Sequence, residues 1–145
     1  MSGEGSRGKV PEAKVRKWLS DLGDRSHNID WHRVYDARSA GGRFPKQTGD
    51  FQLYGVGWHA IIEVKEVNHD FRLPHKNYSE DKVAKCWKRE LAGSHVLVLV
   101  FHSTTNLWRL IPFYVFRTRE GGSWNLTNYP TFTTCKEILD AYDFE

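Results

Sequence analysis

Hydrophobic positions along the chain fall into helical and strand periods that alternate. From Pro11 to Leu22, the residues Val15, Trp18, Leu19 and Leu22 recur at the spacing of one helix face. Pro11 and Glu12 suit a first turn, and Gly23 suits a stop. Residues 24–30 are polar loop, and Trp31–Tyr35 alternates weakly, as a short strand does. Ala37–Gly49 is broken by Gly41, Gly42, Pro45 and Gly49 and reads as loop. Asp50–Tyr54 puts Phe51 and Leu53 on one side, Gly55-Val56-Gly57 makes a turn, and Trp58–Val67 is nearly continuously apolar, so the segment predicts a β-hairpin. A loop over 68–77 carries a short extended piece at Phe71–Leu73. Ser79 caps a helix that runs to Leu91, with Glu80 and Asp81 in its first turn and Lys88 and Arg89 in its last. Val96–Phe101 and Trp108–Phe116 are two further strands, Gly121-Gly122 a turn, and Thr133–Tyr142 a last helix. The order α-β-β-β-α-β-β-α predicts an α/β or α+β sheet with helices against it.

Composition narrows the class. A chain of 145 residues can bury the core of one domain; residues 1–9, rich in Gly and Ser, read as flexible and 10–145 as a single domain. Hydrophobic content of 39% and charged content of 27% exclude a wholly disordered chain. The longest apolar run, Val96–Phe101, falls far short of the roughly 20 residues of a membrane span, so no membrane partner is expected. The N-terminus has no apolar stretch typical of a secretory signal. Two separated cysteines, Cys86 and Cys135, without a CxxC motif fit a reducing compartment and argue against a Cys-based zinc site. The expectation is a cytoplasmic protein.

The formal net charge of +3 is uneven. Residues 1–93 carry 17 basic and 13 acidic side chains, whereas 94–145 carry 4 and 5. Basic residues gather near the N-terminus, at Arg38, Arg43 and Lys46, and at Lys82, Lys85, Lys88 and Arg89. Each stretch alone could be a solvated face, but three around one acidic site suit a polyanion such as nucleic acid. Trp18, Trp87 and Trp108 fall on predicted apolar faces and read as core; Trp58, Phe44 and Tyr78 read as core or interface.

The acidic site is the hairpin itself. Asp50 opens its first strand, and Glu63 and Lys65 stand two apart on its second, so alternation puts both on one face while Val64 points into the core. A strand-borne ion pair would account for Glu63 and Lys65 alone. Gly49-Asp50, a short hairpin and four apolar residues leading into Glu63-Val64-Lys65 form a fuller set, suited to metal-assisted phosphodiester hydrolysis. Asp50, Glu63 and the Val64 carbonyl offer oxygen ligands to Mg²⁺, or to Mn²⁺ in its place. Lys65 can stabilise the transition-state charge. Arg38, Arg43 and Lys46 could clamp phosphates beside the site, and the Gly41-Gly42 tip would let backbone amides approach DNA.

Asp50…Glu63-Val64-Lys65 resembles the core of the PD-(D/E)xK nucleases, with Gly49 in place of the family's Pro. Phe71-Arg72-Leu73-Pro74-His75-Lys76-Asn77-Tyr78 resembles a stretch of the RecU-like Holliday junction resolvases. Glu12 and Arg38-Ser39-Ala40-Gly41-Gly42 match the layout of the archaeal-type resolvases. The resemblance covers most of residues 9–116. It implies a restriction-endonuclease-like α/β core, a central mixed β-sheet flanked by helices. It further implies a Mg²⁺-dependent endodeoxyribonuclease that acts as a homodimer on branched DNA, each subunit cutting one strand of a four-way junction. Asp50 and Glu63 would be metal ligands, Lys65 the catalytic lysine and Glu12 an accessory ligand of metal or water. Ser39 and Lys76 would contact DNA, and Lys82, standing where the RecU-like proteins carry Gln, would bind phosphate. Two other readings stay open: a restriction-like or repair nuclease on other DNA, and a non-catalytic nucleic-acid-binding module whose Asp50, Glu63 and Lys65 form only an ion-pair network.

Overall fold

The computed structural model describes residues 9–34 and 50–145. In chain order the elements are α1 (Lys9–Arg25), β1 (Asp30–Arg33), β2 (Phe51–Gly55), β3 (Trp58–Val67), β4 (Arg72–Pro74), α2 (Glu80–Leu91), β5 (His95–His102), β6 (Leu107–Ile111), β7 (Ser123–Asn125) and α3 (Cys135–Ala141). The main sheet has strand order β1-β2-β3-β5-β6. β3 and β5 run parallel, and the other neighbours are antiparallel, so the sheet is mixed. The parallel pair requires a crossover, which β4, a 3₁₀ turn at His75–Asn77, and α2 supply.

Alternation along β3 and β5 divides the core in two. Ala60, Ile62, Val64, Leu97, Leu99 and Phe101 face α1 and α3, where they meet Val15, Leu19, Ile138 and Leu139. Ile61, Val67, Val96, Val98 and Val100 face the other way, against Val83 and Cys86 of α2 and against Leu73, Phe113 and Trp124. Glu63 and Lys65 belong by register to this second face. Because the central strands are covered on both sides, they read as apolar runs rather than as alternating ones. The Trp18 indole donates a 2.8 Å hydrogen bond to Asp140, tying α1 to α3. Ser79 caps α2 by accepting from the Lys82 amide, as its sequence predicts.

The elements expected from sequence are present, with shifted ends. α1 continues through Gly23 to Arg25, and the Gly23 position lies in ordinary contact range of the Trp31 indole. The strand expected over Trp31–Tyr35 is Asp30–Arg33. The strand expected over Trp108–Phe116 stops at Ile111: Pro112 lacks an amide hydrogen, and Phe113–Arg117 coils into a 3₁₀ turn. Ser123–Asn125, unforeseen as a strand, pairs with β4 in a small second sheet, Leu73 opposite Trp124. The expected loop Ala37–Gly49, with Arg38, Ser39, Arg43 and Lys46, lies outside the described residues. No described helix is long and apolar enough to cross a membrane.

Candidate active site

The hairpin builds the site. The Asp50 amide donates to the Ile62 carbonyl at 2.9 Å, which ties Asp50 to β3 just before the Phe51–Ile62 pair and within reach of the charge of Glu63. The Asp50 carboxylate accepts the Val64 amide at 2.5 Å. In a strand the N–H and C=O of one residue point to the same side, so the Val64 carbonyl opens toward Asp50 as well. Glu63 is 1% exposed, and its Oε2 accepts no hydrogen bond. The Lys65 ammonium stands 3.7 Å from that oxygen, an ion pair beyond hydrogen-bond reach. The same ammonium lies 4.6 Å above the ring of Tyr78, which is fully buried.

Electrostatics follow from this burial. Desolvation first, and then the charge of Glu63, push the Asp50 carboxyl up to about 8; Lys65 and the Val64 amide oppose the rise. Burial also raises the Tyr78 hydroxyl far above its usual range and pushes the Cys86 thiol up to about 12, with Glu63 adding to both. Two neutral groups, the Tyr78 hydroxyl and the Cys86 thiol, therefore lie close to Glu63 and Lys65.

Glu12 approaches from the first turn of α1. Its carboxylate meets the Arg33 guanidinium at 2.9 Å. Burial raises its pKa although Arg33 and Arg16 pull it down, and Glu63 and Lys65 are near enough to act on it. The fold thus brings Glu12, Asp50, Glu63 and Lys65 together. Lys82, half-buried on α2, is close enough to the Cys86 thiol to favour its thiolate, so it borders the same site. Lys76 is exposed on the 3₁₀ turn that precedes α2. Arg33, Tyr78 and Cys86 escaped the sequence reading as site residues. The position of Tyr78 at the end of the Phe71–Tyr78 stretch was the available signal; Arg33 and Cys86 are placed by packing alone.

Asp50 and Glu63, with the Val64 carbonyl, are the groups that could hold a hard divalent cation. Among the described residues no three His, Cys, Asp or Glu side chains form a cage on their own, so any cation here would complete its shell with backbone, water or substrate oxygens.

No protein-family model matches the chain, and no curated protein sequence matches it. Among solved structures, the fold is similar to that of Hjc, a Holliday junction resolvase of the archaeal hyperthermophile Archaeoglobus fulgidus. The TM-score is 0.55 over 88% of this chain and 98% of that one, at 21% identity. The chain thus has an α/β fold of the restriction-endonuclease-like kind; among the described residues it is a mixed five-stranded sheet flanked by three helices.

Proposed function

We propose that the chain is a divalent-metal-dependent DNA endonuclease that acts on branched DNA, four-way junctions above all. The observation that carries this reading is the Asp50 carboxylate, held by the Val64 amide and close enough to the buried Glu63 to feel its charge, with Lys65 on the face of Glu63, in a fold like that of an archaeal junction resolvase. Two buried acidic side chains, with the Lys65 amine 3.7 Å from Glu63 and a Glu63 oxygen without a hydrogen bond among the described residues, fit a site short of positive charge. Asp50, Glu63 and the Val64 carbonyl would hold Mg²⁺, or Mn²⁺ in its place. Bound there, the ion supplies charge neutralisation at the scissile phosphate and acidifies water.

The chain's own groups do the rest. The Val64 amide fixes the rotamer of Asp50, so its second oxygen is aimed before substrate arrives. Lys65 rests on the Tyr78 ring and donates to the phosphate oxygen on which charge develops. The buried Tyr78 and Cys86 keep water from below, where it would weaken these interactions. Glu12, held by Arg33, stands ready to orient a water. Lys76 and Lys82, with Arg38, Ser39, Arg43 and Lys46, contact flanking phosphates. Two copies of the chain, related by two-fold symmetry, cut opposite strands of the junction.

A synthetic four-way junction incubated with Mg²⁺ or Mn²⁺ is expected to be nicked in paired strands. Asp50→Asn and Lys65→Ala are each expected to lower cleavage at least a hundredfold while leaving junction binding in place. Junctions left intact under both metals would overturn the nuclease reading. Equal rates on junction, fork, duplex and single strand would keep the chemistry and remove the junction specificity.

A further inference from the structure

The sheet face that carries Asp50 and Glu63 continues outward to β1, and three rings stand on it. His32 of β1 stacks on Tyr54 of β2, with centroids 5.6 Å apart and planes within 20°. Tyr54 in turn packs on His59 of β3 at 4.9 Å. The register explains the alignment. His32 lies opposite Gln52, and Tyr54 opposite His59; Gln52 and Tyr54 are alternate residues of β2, and Asp50 immediately precedes that strand. The rings therefore form a ladder across three neighbouring strands, on the face and in the row of Asp50.

The ladder is held in place. The His59 ring spans the Ser94 hydroxyl at 2.7 Å and the Gln52 carbonyl oxygen at 3.1 Å. Gln52 Oε1 can only accept, so Nε2 carries the hydrogen and Nδ1 accepts from Ser94. The Tyr54 hydroxyl donates to the same Gln52 oxygen at 3.4 Å. Burial, then Arg89 and His32, hold His59 below the usual histidine pKa, which places Arg89 of α2 close to the ladder and keeps His59 neutral. Yet the ladder is open: Tyr54 is 40% exposed and His32 is exposed.

We propose that this ladder is a stacking platform for the bases of the DNA strand leading away from the cut, an inference that rests on the nuclease reading above. A base has a π-face that extends an existing ring stack, and base–aromatic stacking is a general way to hold unpaired nucleotides. The three rings carry no fixed positive charge, and Asp30, opposite Tyr54 on the same face, repels phosphate. Contact at this point is therefore to bases, and phosphate is left to the exposed Lys88 and Arg89 at the end of α2. Tyr54 stands four positions along the chain from Asp50, about 14 Å of extended backbone, which spans about four stacked nucleotides. The platform meets the substrate about four nucleotides from the cleaved bond, where a branched substrate has strands free to unstack.

The test uses the full chain, a fluorescent four-way junction and a salt series. Tyr54→Leu keeps apolar bulk and loses the ring; Tyr54→Phe keeps the ring. Tyr54→Leu is expected to weaken junction binding about tenfold at every salt concentration without changing the salt slope, since stacking releases no counterions. Tyr54→Phe is expected to bind as the parent does, and Arg89→Ala to lower the slope by about one. Tyr54→Leu binding with parental affinity, or losing affinity through a changed slope, would overturn the platform. Nicking of the same junction in Mn²⁺ is scored separately. If Tyr54→Leu nicks with unchanged kcat/KM, the platform falls and the nuclease stands. If the parent binds without nicking and Tyr54→Leu binds tenfold weaker, the platform stands and the nuclease falls.

Discussion

Asp50 shows what the proposed active site asks of a single residue. It is buried beside another carboxylate, and its carboxyl is raised to about 8 by desolvation and by Glu63. In the unfolded chain the same group titrates near 4. Between these values the folded protein binds the extra proton, so without divalent metal the stability falls as pH rises from about 4 toward 8. Melting temperatures in EDTA are expected to drop across that window. Asp50→Asn is expected to flatten the drop and to melt several degrees above the parent at pH 8, the reverse of its effect on activity. His102 titrates with the opposite sense. Its ring donates from Nδ1 to the His69 carbonyl at 2.5 Å and accepts at Nε2 from Arg109 at 2.9 Å, so it is built to be neutral. Burial lowers its pKa, and its share of stability is lost as pH falls below about 6.5. Arg109 also donates to Tyr129 and Asp70. Arg109→Ala is expected to cost about 2 kcal/mol or more in denaturant unfolding, because it leaves His102 and two carbonyls without their donor.

At the scale of elements, the hairpin was the most legible part of the chain. Its alternation, its Gly55-Val56-Gly57 turn and its apolar second strand all follow from the residues, and so does the shared face of Glu63 and Lys65. Gly55 is more than a turn residue: a Cβ there would sit 2.0 Å from the Trp58 ring. Trp58 stacks on Phe144 at 4.9 Å. Gly55→Ala is therefore expected to displace Trp58 from the C-terminal segment and cost roughly 1–3 kcal/mol, read by denaturant melts and by Trp fluorescence. Features that depend on distant pairing were less legible. The pairing of β7 with β4 joins residues about 50 apart in the chain, and three-residue strands carry too little alternation to announce themselves. The His32–Tyr54–His59 ladder exists only once the registers of β1, β2 and β3 are set. Arg33 reaches Glu12 only because the end of β1 lies beside the start of α1. The end of β6 was legible in principle, since Pro112 cannot continue a ladder on its N–H side.

For the whole molecule, the proposed metal site couples chemistry to folding. Binding to the native state alone stabilises by mass action, so Mn²⁺ is expected to raise the melting temperature of the parent at pH 8 and to leave Asp50→Asn unmoved. Equal shifts in both would place the ion elsewhere. One contact makes this readable without a substrate. The Val64 amide is held at 2.5 Å by the Asp50 carboxylate, and Val64 is a core residue on the central hairpin. Its proton is a built-in spectroscopic indicator: strongly downfield in an NMR spectrum while the carboxylate is charged, moving upfield as Asp50 gains a proton or shares its electrons with a cation. A single backbone resonance would then report the protonation, occupancy and integrity of the site, in a protein that has cut nothing.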